Sequence, residues 1–475
     1  MREIILEIVS RFLTGIGSGY EVYLILYSTF MFLAVLVGAF ALYEKNRKKR
    51  FQNVSDHKGY IPVSILVPAY NEEVTVVDTV RSLLALDYIA YEIIVVDDGS
   101  KDSTTKTLVD AFGMKRIRYP IRKQVPCNDA EAVYECFDQK VPLMLIRKKN
   151  GGKADALNMG INACRFPYFI CMDADSVLQA DSLIKITAPI LSDENTIAVG
   201  GVVRPCNDVE LENGWVKRYR LPKNPLACMQ VIEYDRSFLA SRILFDQFNG
   251  SLIISGAFGL FKKDVIIAVG GYDTKTMGED MELVVDLHKY CTTNKKPYAI
   301  KYAIKYATDA VCWTQAPERL RDLMKQRKRW HLGLFQTLIK HRSMAFDFRS
   351  GPVSFVSYAY FFLYEFLSPF IEAFGILVTA LAVAVKLVNW QFMLGFMLLY
   401  SLFGAVLSLV AFFARTQTTE VTLSARDVGK ALLMCLFEIT VMHFVLTYTR
   451  ATAFIGYRKK KLHWGRIERK KINLK

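Results

Sequence analysis

Between Val22 and Leu42 the sequence carries no charged residue, and about 20 apolar residues suffice to cross a bilayer as a helix. Little else is open to such a run. The cluster Lys45-Asn46-Arg47-Lys48-Lys49-Arg50 follows at once. Basic residues beside a span mark its cytoplasmic end, so 22–43 is expected to be a transmembrane helix and the chain after it cytosolic. Upstream, residues 1–21 place Arg2, Glu3, Glu7 and Arg11 among bulky residues at helical spacing, which suits an amphipathic helix lying on the bilayer. No small-residue cleavage site precedes the span, which argues against a cleaved signal peptide.

Apolar stretches return after Gly351. Val353 to Val385 is too long for one upright helix and is interrupted by Glu365, Pro369 and Glu372, so it reads as an interfacial helix followed by a span, or as two short spans. Phe392 to Phe413 is a clear span; Ala431 to Phe454 is apolar but holds Glu438, His443 and Arg450. The region 353–455 therefore has three or four segments. Counting alone leaves the side of the tail open, but residues 456–475 contain nine Lys and Arg against one Glu, which predicts a cytosolic tail. The net charge of +15 is concentrated beside apolar segments, so no nucleic-acid partner is expected. The nine cysteines are scattered, without metal-finger spacing, and read as free thiols.

Residues 50–345 read as a soluble α/β domain with a mostly parallel sheet. Pro62 to Val67 and Glu92 to Val96 are apolar runs bounded by turn residues, and strand–turn–helix repeats of this kind imply parallel pairing. The stretches 121–141 and 207–224 read as insertions, the first a loop or hairpin.

Chemistry-bearing residues sit at strand ends. Asp173 and Asp175 close the apolar run Tyr168-Phe169-Ile170-Cys171; two carboxylates separated by one residue can share a divalent cation with phosphate oxygens, or mark an ordinary turn. Asp97-Asp98-Gly99-Ser100 ends another strand, in the crevice where open α/β sheets bind nucleotides, again with a plain turn as the alternative. Asn150-Gly151-Gly152-Lys153 lacks the Walker spacing but offers flexible backbone and a cation at a helix start. Glu279 and Asp280 open a helix, where an acid serves as a cap or as a general base. Gln326, Arg329 and Trp330 share one face of a helix expected to begin near Thr314 and Pro317; Arg pairs with diphosphate and an indole stacks on sugar, unless this is a solvated basic helix with one buried Trp.

In this order, Pro68-Ala69-Tyr70-Asn71-Glu72, Asp97-Asp98-Gly99-Ser100, Gly152-Lys153, Asp173-Ala174-Asp175, Gly278-Glu279-Asp280 and Gln326-Arg327-Lys328-Arg329-Trp330 resemble the membrane-embedded processive branch of the family 2 glycosyltransferases, above all bacterial poly-N-acetylglucosamine synthases. The resemblance implies a GT-A-like domain flanked by transmembrane helices in the plasma membrane. It implies a UDP-sugar donor, Mg2+ or Mn2+, and inverting transfer to a growing β-linked polysaccharide with export of the polymer. Single transfer to a lipid acceptor and a catalytically silent nucleotide-binding subunit are the alternatives. By the same resemblance Ala69, Tyr70 and Glu72 contact the nucleotide, Asp97 or Asp98 the base or ribose, Lys153 the diphosphate, and Asp173 the donor sugar and ribose. Asp175 holds the metal and Asp280 is the base. Glu279, Gln326, Arg329 and Trp330 serve the leaving group and acceptor. Gly278 stands where the family usually has Thr, which puts in question how the start of that helix is held.

Overall fold

A strand covered on both faces is apolar along its whole length, and this is why the parallel centre of the sheet is visible as unbroken runs. The computed structural model describes residues 2–51, 59–293, 302–418 and 422–457; the basic tail beyond Tyr457 lies outside them. In chain order the strands are β1 (Val63–Ala69), β2 (Tyr91–Asp97), β3 (Lys115–Ile117), β4 (Ala130–Cys136), β5 (Leu143–Lys148), β6 (Tyr168–Met172), β7 (Val177–Leu178), β8 (Thr196–Pro205), β9 (Glu210–Glu212), β10 (Trp215–Arg218), β11 (Phe258–Lys262) and β12 (Ala303–Thr314). Ten form one sheet in the order β3-β4-β5-β2-β1-β6-β11-β8-β12-β7. The centre β5-β2-β1-β6 is parallel, as is β8 with β12, while β4, β11 and β7 run against their neighbours. Seven of the ten strands thus share a direction, a mostly parallel α/β sheet.

Both insertions become hairpin strands. Part of 121–141 is β4, which extends the sheet antiparallel to β5. Part of 207–224 is the β9–β10 hairpin, turned by Asn213 and Gly214 with φ of 51° and 78°, the left-handed pair that Asn-Gly supplies in tight hairpin turns.

One unbroken helix runs from Arg2 to Phe51, so the 1–21 and 22–43 stretches belong to a single rod. Among the described residues three helices are long and apolar enough to cross a membrane: Thr14–Arg47, Trp390–Thr416 and Ala425–Phe454. Val353–Phe366 and Ser368–Ala384 form a further pair bent by 42°, with Pro369 in the first turn of the second helix, where a missing N–H costs nothing. These helices dock on the sheet domain. Lys45 Nζ donates to the Tyr306 carbonyl at 3.3 Å and Arg415 Nη1 to the Thr308 carbonyl at 3.1 Å. The helix 425–454 meets that domain at both ends. Leu221 N donates to Asp427 Oδ1 at 3.3 Å, while Phe454 packs edge-on against Phe335 at 5.1 Å and Gln336 Nε2 donates to the Tyr457 hydroxyl at 3.0 Å.

Candidate active site

The carboxyl ends of β1, β2 and β6 lie side by side, with Ala69 opposite Asp97. Asp97 accepts from Ser100 N at 2.8 Å and from the Thr105 hydroxyl. Asp98 is filled as well: Lys148 Nζ lies 2.6 Å from Oδ1, and Gly152 N donates to Oδ2 at 2.7 Å. Burial raises the Asp98 carboxyl above the usual carboxylate range, and Lys148 with the Gly151 and Gly152 N–H groups pulls it back. Lys148 is fully buried and also pairs with Asp155 at 2.5 Å. This knot fixes the glycine loop, where Gly152 takes φ of 91°, a conformation that side chains resist. Asn71 is likewise left-handed at φ 56°, its N–H donating to the Ser100 hydroxyl at 2.9 Å. Tyr70 beside it is 38% exposed, and Glu72 accepts from the Thr75 hydroxyl at 2.8 Å.

The loop aims Lys153, first residue of the helix Lys153–Ala163, at acids from two other elements. Its ammonium is ion-paired with Asp173, lies 3.7 Å from Glu279, and donates to the Gly256 carbonyl at 3.1 Å. Burial alone would lower the Lys153 pKa; Asp173 and Glu279 reverse this and lift it above the ordinary lysine value. Burial raises Glu279, with Lys153 opposing and Asp280 adding to the rise. Gly256 N donates to Asp280 Oδ2 at 3.1 Å, and a Cβ on Gly256 would stand 3.1 Å from Lys153 Nζ. One glycine thus lets its backbone bridge the cation and the candidate base.

Gly278 sets how the 279–293 helix is held. A Cβ there would meet Gly333 Cα at 3.0 Å, and one on Gly333 would meet Gly278 N at 2.7 Å. Two glycines let the turn before Asp280 touch the helix Leu320–Lys340 backbone to backbone, and Gln336 Oε1 accepts from Met277 N at 2.8 Å. That helix starts at Leu320, later than the expected Thr314–Pro317. Thr314 ends β12, and the groups at 316–317 are taken by side chains: Asn207 pairs with Ala316 N–H and C=O at 2.8 and 3.0 Å, and Gln230 donates to the Pro317 carbonyl at 2.8 Å.

A cavity of about 830 Å³ is lined by Lys153, Asp173, Asp175, Glu279, Asp280, Gln326, Arg329 and Trp330 together. It continues between the apolar helices past Tyr364, Glu372 and His443. Ala69, Tyr70, Glu72, Asp97 and Asp98 lie on the neighbouring strand ends, outside its wall. Among the described residues no three His, Cys, Asp or Glu side chains gather as a metal cluster. Nothing local in the sequence singles out Lys148, Glu233 or Arg327 for burial, yet all three are buried.

Acids, a lysine and an exposed Trp thus surround one cleft beside the strand ends of a mostly parallel α/β sheet. Residues 61–333 match the family model "Glycosyltransferase like family 2", and the chain belongs to that family. Its relatives include poly-beta-1,6-N-acetyl-D-glucosamine synthases of Staphylococcus epidermidis, 30% identical over 322 residues, and of Staphylococcus aureus strain COL, 30% identical over 326 residues. These matches cover 67% of this chain and 66% of theirs, so the chain spans just under two thirds of the relatives' length. A mannosyltransferase from Pyrobaculum calidifontis, solved with GDP-Man and Mn2+, shares the fold at a TM-score of 0.52 and 19% identity, over 84% of this chain and 98% of that one.

Proposed function

We propose that this enzyme transfers a sugar from a UDP-sugar to a growing β-linked polysaccharide at the cytosolic face of the plasma membrane, with inversion, and passes the polymer outward between its apolar helices. The observation that carries the proposal is the single cavity that joins Lys153, Asp175 and Asp280 to Trp330 and then enters the membrane segments. The names of the staphylococcal relatives favour N-acetylglucosamine in β-1,6 linkage.

In this reading the acceptor hydroxyl attacks the anomeric carbon from the side opposite the diphosphate. Its proton passes to Asp280, and the bond from the anomeric carbon to the phosphate oxygen breaks. Lys153 and Arg329 stand beside the departing diphosphate to offset its growing charge. Asp175, on the cavity wall, fits a Mg2+ or Mn2+ site that the diphosphate would complete, while Asp173, ion-paired with Lys153, stands toward the donor sugar and ribose. A bound ion would supply Lewis-acid neutralisation of the leaving group. The strand-end group around Tyr70, Glu72 and Asp98 flanks the cleft on the side where base and ribose would lie.

Purified protein in nanodiscs, given a panel of labelled UDP-sugars and a β-1,6-linked N-acetylglucosamine pentasaccharide primer, tests this reading. Elongation of the primer into long polymer from one UDP-sugar is expected. A one-sugar lipid product, or none, overturns it.

A further inference from the structure

We propose that Arg327, locked onto Glu233, is a positioning residue that fixes the Trp330 indole for the acceptor sugar; this rests on the reading above only in taking the acceptor to be a saccharide. Arg327 and Trp330 are three residues apart on the helix 320–340, hence neighbours on its surface. The guanidinium carbon lies 4.5 Å from the indole centroid, a cation–π distance. Behind it, Nη1 and Nη2 fork onto the two Glu233 carboxylate oxygens at 2.8 and 2.7 Å. All three line the cavity, but Arg327 is 3% and Glu233 6% exposed, whereas Trp330 is 42% exposed.

Glu233 is itself well placed. Its helix, Pro225–Ser237, has proline in the first turn and is capped by Asn224, whose side chain accepts from Leu226 N and Ala227 N at 2.9 and 3.2 Å. A buried ion pair is weak evidence for added stability, since apolar residues of the same volume often serve as well. What this pair supplies is a flat, charged backing that an apolar pair lacks. A half-exposed indole would otherwise sample several rotamers, and a sugar that stacks on it would have to still them. With one face held by the guanidinium, the other stays presented to the cavity. The fork needs Arg: a lysine keeps the charge but loses the planar, two-pronged grip.

The test uses the full chain in nanodiscs with Glu233→Gln, Arg327→Lys and Trp330→Ala, singly and with each of the first two on the Trp330→Ala background. The KM for the pentasaccharide primer is expected to rise about tenfold in Glu233→Gln and in Arg327→Lys, while the KM for the UDP-sugar stays within about twofold. On the Trp330→Ala background neither change should raise the primer KM further. An unchanged primer KM, an equal shift in donor KM, or full additivity overturns the proposal. Where a single variant fails to fold, the paired Glu233→Met/Arg327→Met variant retains packing and is expected to show the same primer defect; normal primer KM there overturns the proposal. If the wild type elongates no primer, the functional reading falls by itself. Calorimetric binding of the pentasaccharide to the same variants then decides the positioning role, non-additivity sustaining it and additivity overturning it.

Discussion

Asp280 has both carboxylate oxygens supported by backbone donors, Gly256 N on one and Met281 N at 2.8 Å on the other, so the side chain is held at the cavity wall before any substrate arrives. Asparagine keeps the size, but its amide oxygen can accept from only one of these two N–H groups and cannot take a proton from an attacking hydroxyl. Asp280→Asn should therefore lower transfer roughly 100- to 10,000-fold, with UDP affinity little changed. Transfer assays beside UDP calorimetry check this, and unaltered turnover would remove Asp280 from the base role. The local sequence carried this position because an acid at a helix start has few employments. It hid Lys148 and Arg327, because burial of a cation depends on partners far along the chain, Asp98 and Asp155 for one and Glu233 for the other. A solvated basic helix with a buried Trp is not what forms at 326–330: Arg327 is buried and Trp330 is exposed.

At the scale of elements, the helix 320–340 is clamped on the turn before Asp280 through Gly333 and Gly278. Helix propensity favours alanine over glycine by about 1 kcal/mol, yet a Cβ on Gly333 would stand 2.7–2.8 Å from Gly278 backbone atoms, and such overpacking costs about 1–3 kcal/mol. The clash wins: Gly333→Ala should lower both the melting midpoint and transfer, and a stabilised, active variant would contradict the clamp. The neighbouring helix 279–293 holds His288 between the Tyr302 hydroxyl at 2.7 Å and the Ser251 carbonyl at 2.8 Å. Burial lowers its pKa from 6.5 to about 4, against a small rise from the Ser251 bond. Above the upper value both folded and unfolded imidazoles are neutral. As pH falls from 6.5 to about 4, the unfolded state binds a proton that the folded state refuses, so stability declines, on the order of 3 kcal/mol across the window. Chemical denaturation at pH 7 and pH 4.5 should show a smaller acid loss in His288→Gln than in the wild type; equal losses would contradict this. Elements were legible where periodicity is local, as in the parallel strands. The antiparallel β4 and β11 were not, because their direction is set by the strands they pair with, β5 and β6; nor was the late start of the 320–340 helix, because Asn207 and Gln230 hold residues 316–317 from a distance.

For the whole molecule, the helix 425–454 touches the sheet domain near residues 221 and 336, at its two ends. Its 30 residues span about 45 Å, and a domain confined to one face of a bilayer cannot reach both ends of an upright helix of that length. The tail after Tyr457 should therefore emerge on the same side as the sheet domain, as its basic residues also require. A protease site at the carboxyl terminus and another in the exposed loop near Phe137 should be cut together in inside-out vesicles; protection of one alone would contradict this. The mostly parallel sheet and the apolar segments were readable from the chain because both follow from what covers a residue's faces. The cavity that joins them was not, since it belongs to packing between elements hundreds of residues apart.

The most direct measurement is a cryo-EM map of the protein in nanodiscs with UDP and Mn2+. The account predicts diphosphate density between Lys153 and Arg329, a cation at Asp175, and the uridine toward Tyr70 and Asp98. UDP bound on another face, with the cavity beside Asp280 left to solvent, would contradict it.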